Sequence, residues 1–181
     1  MIEKTFFKEE QKFNPLFVLL IMFLPWCVIN IVFGIGMYRQ FLLDKPWGDE
    51  PMSDESLILV TLGLNLLVVG IAFLMLKTKM VTEIRESGFY YRYVPFLFRE
   101  RRISREEIER YEVRQYKPVS EYGGWGFRQQ SRRIRKAGIA YNIRGDIGLQ
   151  LYMRNGKKIL FGTQRKEAID FAMRKMMGTS V

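Results

Sequence analysis

Residues Leu57–Leu76 read LILVTLGLNLLVVGIAFLML, twenty positions without a charge. As a helix rising ~1.5 Å per residue, this run is ~30 Å long, the thickness of a bilayer's hydrocarbon core. It predicts a membrane span, and the rest of the chain is arranged about it. The earlier uncharged run, Leu16–Met37, has 22 residues. Its apolar core is too long for a signal peptide and no small-residue cleavage site follows, so it predicts a first span. Asn14-Pro15 supplies a cap residue and a first-turn proline. Pro25 predicts a kink, because proline removes a backbone donor. The expected transmembrane helices occupy about 15–38 and 56–77.

Charge orients the hairpin. The connection 39–56 holds Arg39 and Lys45 against Asp44, Asp49, Glu50, Asp54 and Glu55, with Pro46, Gly48 and Pro51. It predicts an irregular external loop whose Tyr38, Arg39 and Trp47 sit at the headgroups. Lys77, Lys79 and Arg85 follow the second span, which predicts a multi-pass protein of the cell membrane with both termini cytoplasmic. From Lys77 onward there are 24 Lys and Arg against 11 Asp and Glu, a net +13. Such a domain beside a bilayer predicts attraction to anionic lipid headgroups or to an acidic protein partner. Tethering at the membrane argues against nucleic acid.

Absences narrow the chemistry. The 181 residues contain no histidine and one cysteine, Cys27. That excludes Ser-His-Asp and Cys-His sites, His-containing zinc sites and any intramolecular disulfide. With no nucleophile-base set and no metal cluster, the chain is expected not to be an enzyme and to need no cofactor or metal. Glu106 and Glu107 are adjacent on a helical turn and point apart, which does not suit paired carboxylate catalysis.

Two polar residues interrupt the spans. Asn30 lies roughly 21 Å, and Asn65 roughly 17 Å, from the cytoplasmic helix ends. In an antiparallel hairpin these depths nearly coincide, predicting an interhelical hydrogen bond. Gly34, Gly63 and Gly70 are expected to permit close backbone approach. Neither span carries an ionisable group, so this pair reads as hairpin glue rather than a transport path.

Residues 1–78 are thus expected to be an N-terminal tail and the hairpin, and 79–181 a cytoplasmic domain. In the tail, Ile2, Phe6 and Phe13 have helical spacing, predicting an interfacial helix or a short, partly ordered segment. After Met80 the period shortens to that of strands. MVTEIRES and GFYYRYVPFLF flank Gly88 as paired strands, with Pro95 at an edge or bend. RERRIS continues as a third strand, and Ser104 with Glu107 predicts a capping box. Tyr111, Val113 and Gln115 mark a fourth strand. Residues 121–138 have no apolar periodicity and are expected to form a loop or irregular hairpin. Ile139, Tyr141 and Ile143, then Ile147, Leu149, Leu151 and Met153, alternate strongly. Asn155-Gly156 predicts a two-residue hairpin turn into KKILFG. Thr163 is expected to cap a last helix whose apolar face is Ile169, Ala172, Met173 and Met176, stopped by Gly178. The fold class expected is a membrane α-helical hairpin plus an α+β, mainly β domain. Its roughly seven antiparallel strands would make a partly open barrel closed by the C-terminal helix.

Tyr141-Asn142-Ile143-Arg144-Gly145, the strands around Asn155-Gly156, and Ile159–Gln164 leading into the helix resemble the pleckstrin-homology-like fold. The sequence looks like bacterial membrane proteins that carry such a domain after a two-helix hairpin. The resemblance covers roughly 79–178 and implies a binding or scaffolding module. Eukaryotic relatives often bind phosphoinositides through a basic first loop. Here that loop is Glu86-Ser87-Gly88 and lacks the cluster, so the site is not carried over.

Tyr122-Gly123-Gly124-Trp125-Gly126-Phe127-Arg128, followed by Arg132, Arg133, Arg135 and Lys136, is the most distinctive segment. Two readings stand: a solvated basic loop whose Trp125 fills part of the core, or a membrane, anion or partner contact. Anionic lipid would contribute on the order of 1 kcal/mol per cation, and arginine matches phosphate through its planar fork. Gly124-Trp125-Gly126 lacks the third glycine and the strand-helix context of a nucleotide fingerprint. Two function classes follow. One is a non-enzymatic, membrane-anchored binding or scaffolding protein; the other is an accessory or regulatory subunit of a larger membrane complex assembled through the hairpin. An unidentified protein partner or a second copy of the chain fits either.

Overall fold

The computed structural model describes residues 3–128 and 138–178. The chain divides into two compact units, Phe13–Lys77 and a unit joining Met1–Lys12 to Thr78–Val181. It is an α+β protein with two long apolar helices and two β-sheets.

The first unit is the helix pair. Helix α1 spans Pro15–Met37, with Asn14 Oδ1 accepting from Leu16 N at 2.9 Å. A π-helical stretch, Tyr38–Leu42, extends it. Helix α2 spans Asp54–Lys77. Both are long and apolar enough to cross a membrane, and almost none of either is buried. The loop between them is tied down rather than loose. Gln40 Nε2 donates to Met52 O at 2.8 Å and to Asp54 Oδ1 at 2.6 Å. Trp47 packs edge-on against Phe33, with centroids 5.6 Å apart, and lies over Gly36. A Cβ on Gly36 would come within 2.6 Å of that ring, so the close approach is made there. Gly34, Gly63 and Gly70 do not provide it, since a Cβ on any of them meets nothing within 4 Å.

The second unit holds nine strands among the described residues. Strands β1 (Thr5–Lys12), β2 (Lys79–Arg85), β3 (Gly88–Val94) and β4 (Leu97–Ser104) form one antiparallel sheet in that order. The N-terminal segment is therefore a strand and not an interfacial helix or loose tail. Its alternation buries Phe7, Glu9 and Gln11, opposite Ile84, Thr82 and Met80 of β2. The second sheet runs β5 (Ile108–Gln115), β8 (Ile147–Met153), β9 (Lys158–Gly162), β7 (Ile139–Asn142), β6 (Gly126–Arg128). Two departures from an all-antiparallel array of seven appear here. Strands β7 and β9 pair in parallel, and β6 pairs with β7 inside the segment expected to be a loop. The two sheets do not close into a barrel.

Aromatic rings fill the space between the sheets. Phe161 of β9 lies 4.5 Å from Phe89 and 4.8 Å from Tyr91, both on β3, and stacks 5.3 Å from Tyr141 of β7. Each such ring removes 150–250 Å² from water, roughly. Helix α3 is a single turn, Pro118–Tyr122, and helix α4 spans Lys166–Met177. On α4, Ile169, Ala172, Met173 and Met176 are buried as one face, and Gly178 ends the helix with φ +72°. Arg105 Nη2 donates to the terminal Met177 carbonyl at 2.7 Å.

Local chemistry explains several ends. Ser104 N donates to Glu107 Oε2 at 2.7 Å in a complete capping box over Arg105–Glu107. The β8–β9 turn holds three residues, 154–156, instead of two: Gly156 N bonds Met153 O and Met153 N bonds Lys157 O. Gly156, at φ +79°, takes the left-handed position of that turn. Thr163 lies before α4 and does not cap it; its Oγ1 accepts from Arg165 N at 3.1 Å, and Arg165 holds the N-cap position.

Candidate functional site

The glycine-rich segment is built from the inside. Pro118 opens α3, because its missing N–H is not needed in a first turn. Lys117 N and Arg114 Nη2 both donate to the Glu121 carboxylate, at 2.8 and 2.7 Å. Gly123 then leaves α3 with φ +73°, and Gly124 and Gly126 follow at +117° and +116°, values that glycine adopts freely. The turn lands on Asn142, which is fully buried. Asn142 Oδ1 accepts from Gly126 N at 2.8 Å, and its Nδ2 donates to Tyr116 Oη at 2.9 Å. Tyr122 Oη and Arg114 Nη2 both donate to Gln150 Oε1, at 3.2 Å each.

The backbone donors that a ligand-cradling loop would offer are thus partly committed. Trp125 is 40% exposed, yet its Nε1 donates to Gly145 O at 3.0 Å, which clamps the segment to the β7–β8 turn. Arg128 is exposed and its Nε donates to Trp125 O at 3.2 Å. Arg132, Arg133, Arg135 and Lys136 lie outside the described residues.

Electrostatics here are those of a dry scaffold. Burial pushes the Tyr116 phenol up to about 12, against the bond from Asn142 that acts the other way. Burial also raises Tyr93 and Tyr141. The bond from Arg114 holds the Glu121 carboxyl below its ordinary range. Beside α3 lies an open cleft of about 590 Å³, lined by Gln115–Glu121 and Asp146. Gln115 Nε2 and Asp146 Oδ2 close one side of it with a 2.5 Å bond. Among the described residues, no three His, Cys, Asp or Glu side chains are grouped to hold a metal ion.

In the helix pair the structure brings Asn30 and Asn65 together. Asn30 Nδ2 donates to Asn65 Oδ1 at 3.0 Å and to Trp26 O at 2.7 Å. Asn65 Nδ2 donates to Thr61 O at 2.9 Å.

Two features had escaped sequence reasoning. The first is Glu9, a buried carboxylate accepting from Thr163 Oγ1 at 2.6 Å, Gln164 N at 2.8 Å and Gln11 Nε2 at 3.0 Å. It fastens β1 to the loop ahead of α4. The second is the β3–β4 turn, where Phe96 and Phe98 are exposed. Pro95 marks an edge or bend here, but nothing in the Pro95-Phe96-Leu97-Phe98 run signals that the two phenylalanines are exposed. No family model, curated protein or solved structure matches the chain.

Proposed function

We propose that this chain is a non-enzymatic membrane protein that presents a basic, pleckstrin-homology-like domain at the cytoplasmic face of the cell membrane, as a binding or scaffolding module. One observation carries the reading. Strands β1 and β2 are hydrogen-bonded neighbours, and they are the two strands that run directly into α1 and out of α2. Two spans return a chain to the side it left, so a sheet stitched across both ends of the hairpin supports an even number of crossings. The excess of Lys and Arg after the second helix supports the cytoplasm as that side. A meander sheet, a second sheet across one aromatic core and a C-terminal amphipathic helix support the pleckstrin-homology-like description. The parallel β7–β9 pair and the strand contributed from before the hairpin are departures from it.

A second reading has its own support. The exposed side chains of both helices leave far more apolar surface than the pair covers by itself. An accessory subunit would use that surface against another membrane protein or a second copy of the chain. Exchange of residues 13–77 for an unrelated two-span anchor, followed by proximity labelling, separates the two. A labelled set that survives the exchange supports the domain as binding module, and its loss supports the hairpin as interface. Topology has its own test. In a Cys27→Ser background, Asp49→Cys should react with an impermeant thiol reagent on intact cells and Asn155→Cys should not; the reverse pattern overturns the orientation.

A further inference from the structure

The register of the first sheet fixes what lies at the end where the helices attach. Lys12 pairs with Lys79, Lys79 with Val94, and Tyr93 with Leu97. The β3–β4 turn therefore sits at the same end of the sheet as both connections to the hairpin. Those connections are short. Phe13 and Asn14 separate β1 from α1, and Thr78 alone separates α2 from β2. Fully extended, connections of two residues and one residue reach no more than ~10 Å and ~7 Å. The headgroup layer on each side of the hydrocarbon core is itself ~5–8 Å deep.

At this end the surface is not what water selects. Phe96 is 54% exposed and Phe98 69%. Phe98 lies where the β3–β4 register shifts, four residues of β4 spanning two of β3, which displaces it from the regular ladder. Phe127, half exposed on β6, lies 6.5 Å from Tyr93, whose ring is 6.0 Å from Phe96. Cations adjoin these rings in sequence: Arg99 follows Phe98 and Arg128 follows Phe127, and both are exposed, whereas Lys79 is already paired with Glu10 at 2.6 Å. Phenylalanine rings together with Lys and Arg are a pattern of interfacial surfaces, where the ring enters the headgroup–acyl boundary and the cation meets lipid phosphate.

We propose that the β3–β4 turn is a membrane-docking tip, with Phe96 and Phe98 set among the headgroups of an anionic bilayer and Arg99 and Arg128 against its phosphates. The inference rests on α1 and α2 being spans. The tip gives the domain a second hold on the bilayer besides its two covalent tethers.

Depth-dependent quenching tests it on the full chain. In a Cys27→Ser background, single cysteines at Phe96, Glu86 and Leu66 carry an environment-sensitive fluorophore. The protein is reconstituted in phosphatidylcholine–phosphatidylglycerol vesicles containing acyl-brominated lipid. Leu66 is exposed within α2, and Glu86 lies at the opposite end of the same sheet. The expected result is strong quenching at 66 and quenching at 96 several-fold above that at 86. Phe98→Cys repeats the measurement with Phe96 intact. Equal, weak quenching at 96, 98 and 86 with strong quenching at 66 overturns the tip and leaves the spans standing. Weak quenching at 66 removes the spans and the tip together. Arg99→Ser with Arg128→Ser, or vesicles of phosphatidylcholine alone, should lower quenching at 96 at least twofold; no change overturns the anionic contact.

Discussion

Asparagine is buried in one half of this molecule and paired in the other, and the two settings differ in what is left behind when it is removed. In the helix pair, Asn30 and Asn65 bond each other, and each also bonds a carbonyl one turn back in its own helix, Trp26 O and Thr61 O. Local partners remain if the cross-pair is lost. In the sheet unit, Asn142 reaches Tyr116, 26 residues away, and Gly126, 16 residues away. Tyr116 keeps a longer bond to Gly145 O, 3.4 Å, and that partner too lies 29 residues away rather than one turn back. The hairpin thus places its apolar groups outward and uses polarity sparingly, while the sheet unit places apolar groups inward and fixes its loops through buried polar atoms that depend on one another.

The largest effect should come from charging the apolar side of that comparison. Met173 is fully buried on α4, among Ile169, Ala172 and Met176. Met173→Asp puts a carboxylate where nothing pairs with it and removes a side chain's worth of burial, a loss of about 5 kcal/mol or more. Denaturant unfolding in mild detergent should show little folded sheet unit, while Met173→Leu stays close to wild type. Equal midpoints for Asp and Leu would disprove the assigned helix face.

Next is the hub itself. Asn142→Leu keeps the shape and takes the acceptor from the Gly126 amide, while the Tyr116 hydroxyl loses the Asn142 bond and keeps its 3.4 Å bond to Gly145 O. At roughly 1–3 kcal/mol for a buried group left without a partner, the expected loss is about 1–3 kcal/mol. Amide exchange at Gly126 should accelerate as well, because that N–H has lost its acceptor. Protection unchanged at Gly126 would mean that the glycine turn is held by Trp125 and the β6–β7 pairing instead.

Tyr116 extends the comparison to alkaline pH. Its phenol is pushed up to about 12 when folded, against ~10 for a free tyrosine. Between these values the unfolded chain has lost a proton that the folded chain keeps, so unfolding releases a proton and rising pH favours it. Stability should be level below about pH 10 and fall as pH climbs towards 12, by on the order of 2 kcal/mol from this group. Tyr116→Phe is expected to start lower, having lost the Asn142 bond, and to fall less steeply. Parallel pH profiles for the two proteins would show that Tyr93 and Tyr141 carry the alkaline loss.

How far the sequence led follows the same division. Leu57–Leu76 was legible because an apolar span needs no partner to be recognised. Ile147–Met153 was legible because its inward positions are all apolar or glycine, apart from Gln150. Strand β1 was not. Its inward positions are Phe7, Glu9 and Gln11, and two polar residues facing inward erase the alternation. Their justification, Thr163 and Gln164, stands more than 150 residues away. Strand β6 is only three residues long and opens on a glycine, which carries no periodicity. Thr163 looked like a helix cap because its hydroxyl does bond a nearby N–H, that of Arg165. Of the candidate site, the glycines and Trp125 stood out in the sequence, whereas Asn142 read only as part of a regular strand, and its role as the partner of Gly126 and Tyr116 had no signal there.

The smallest effect tests the hairpin side. If local carbonyls rescue the asparagines, then Asn30→Leu should cost little, because Asn65 still bonds Thr61 O and loses only one acceptor role. Interhelical polar pairs in membranes are worth ~0.6–2 kcal/mol, and the lower end is expected here. A double-mutant cycle over Asn30→Leu and Asn65→Leu isolates the pair from each residue's local bond. It is to be measured as steric trapping or denaturant unfolding of the full chain in bicelles, with the sheet unit's own unfolding monitored separately through Trp125. A coupling below about 1 kcal/mol agrees with rescue by the backbone. A coupling as large as the loss at Asn142 would mean that the helix pair, like the dry core, leaves the abandoned amide no alternative, and the contrast between the two regions would vanish.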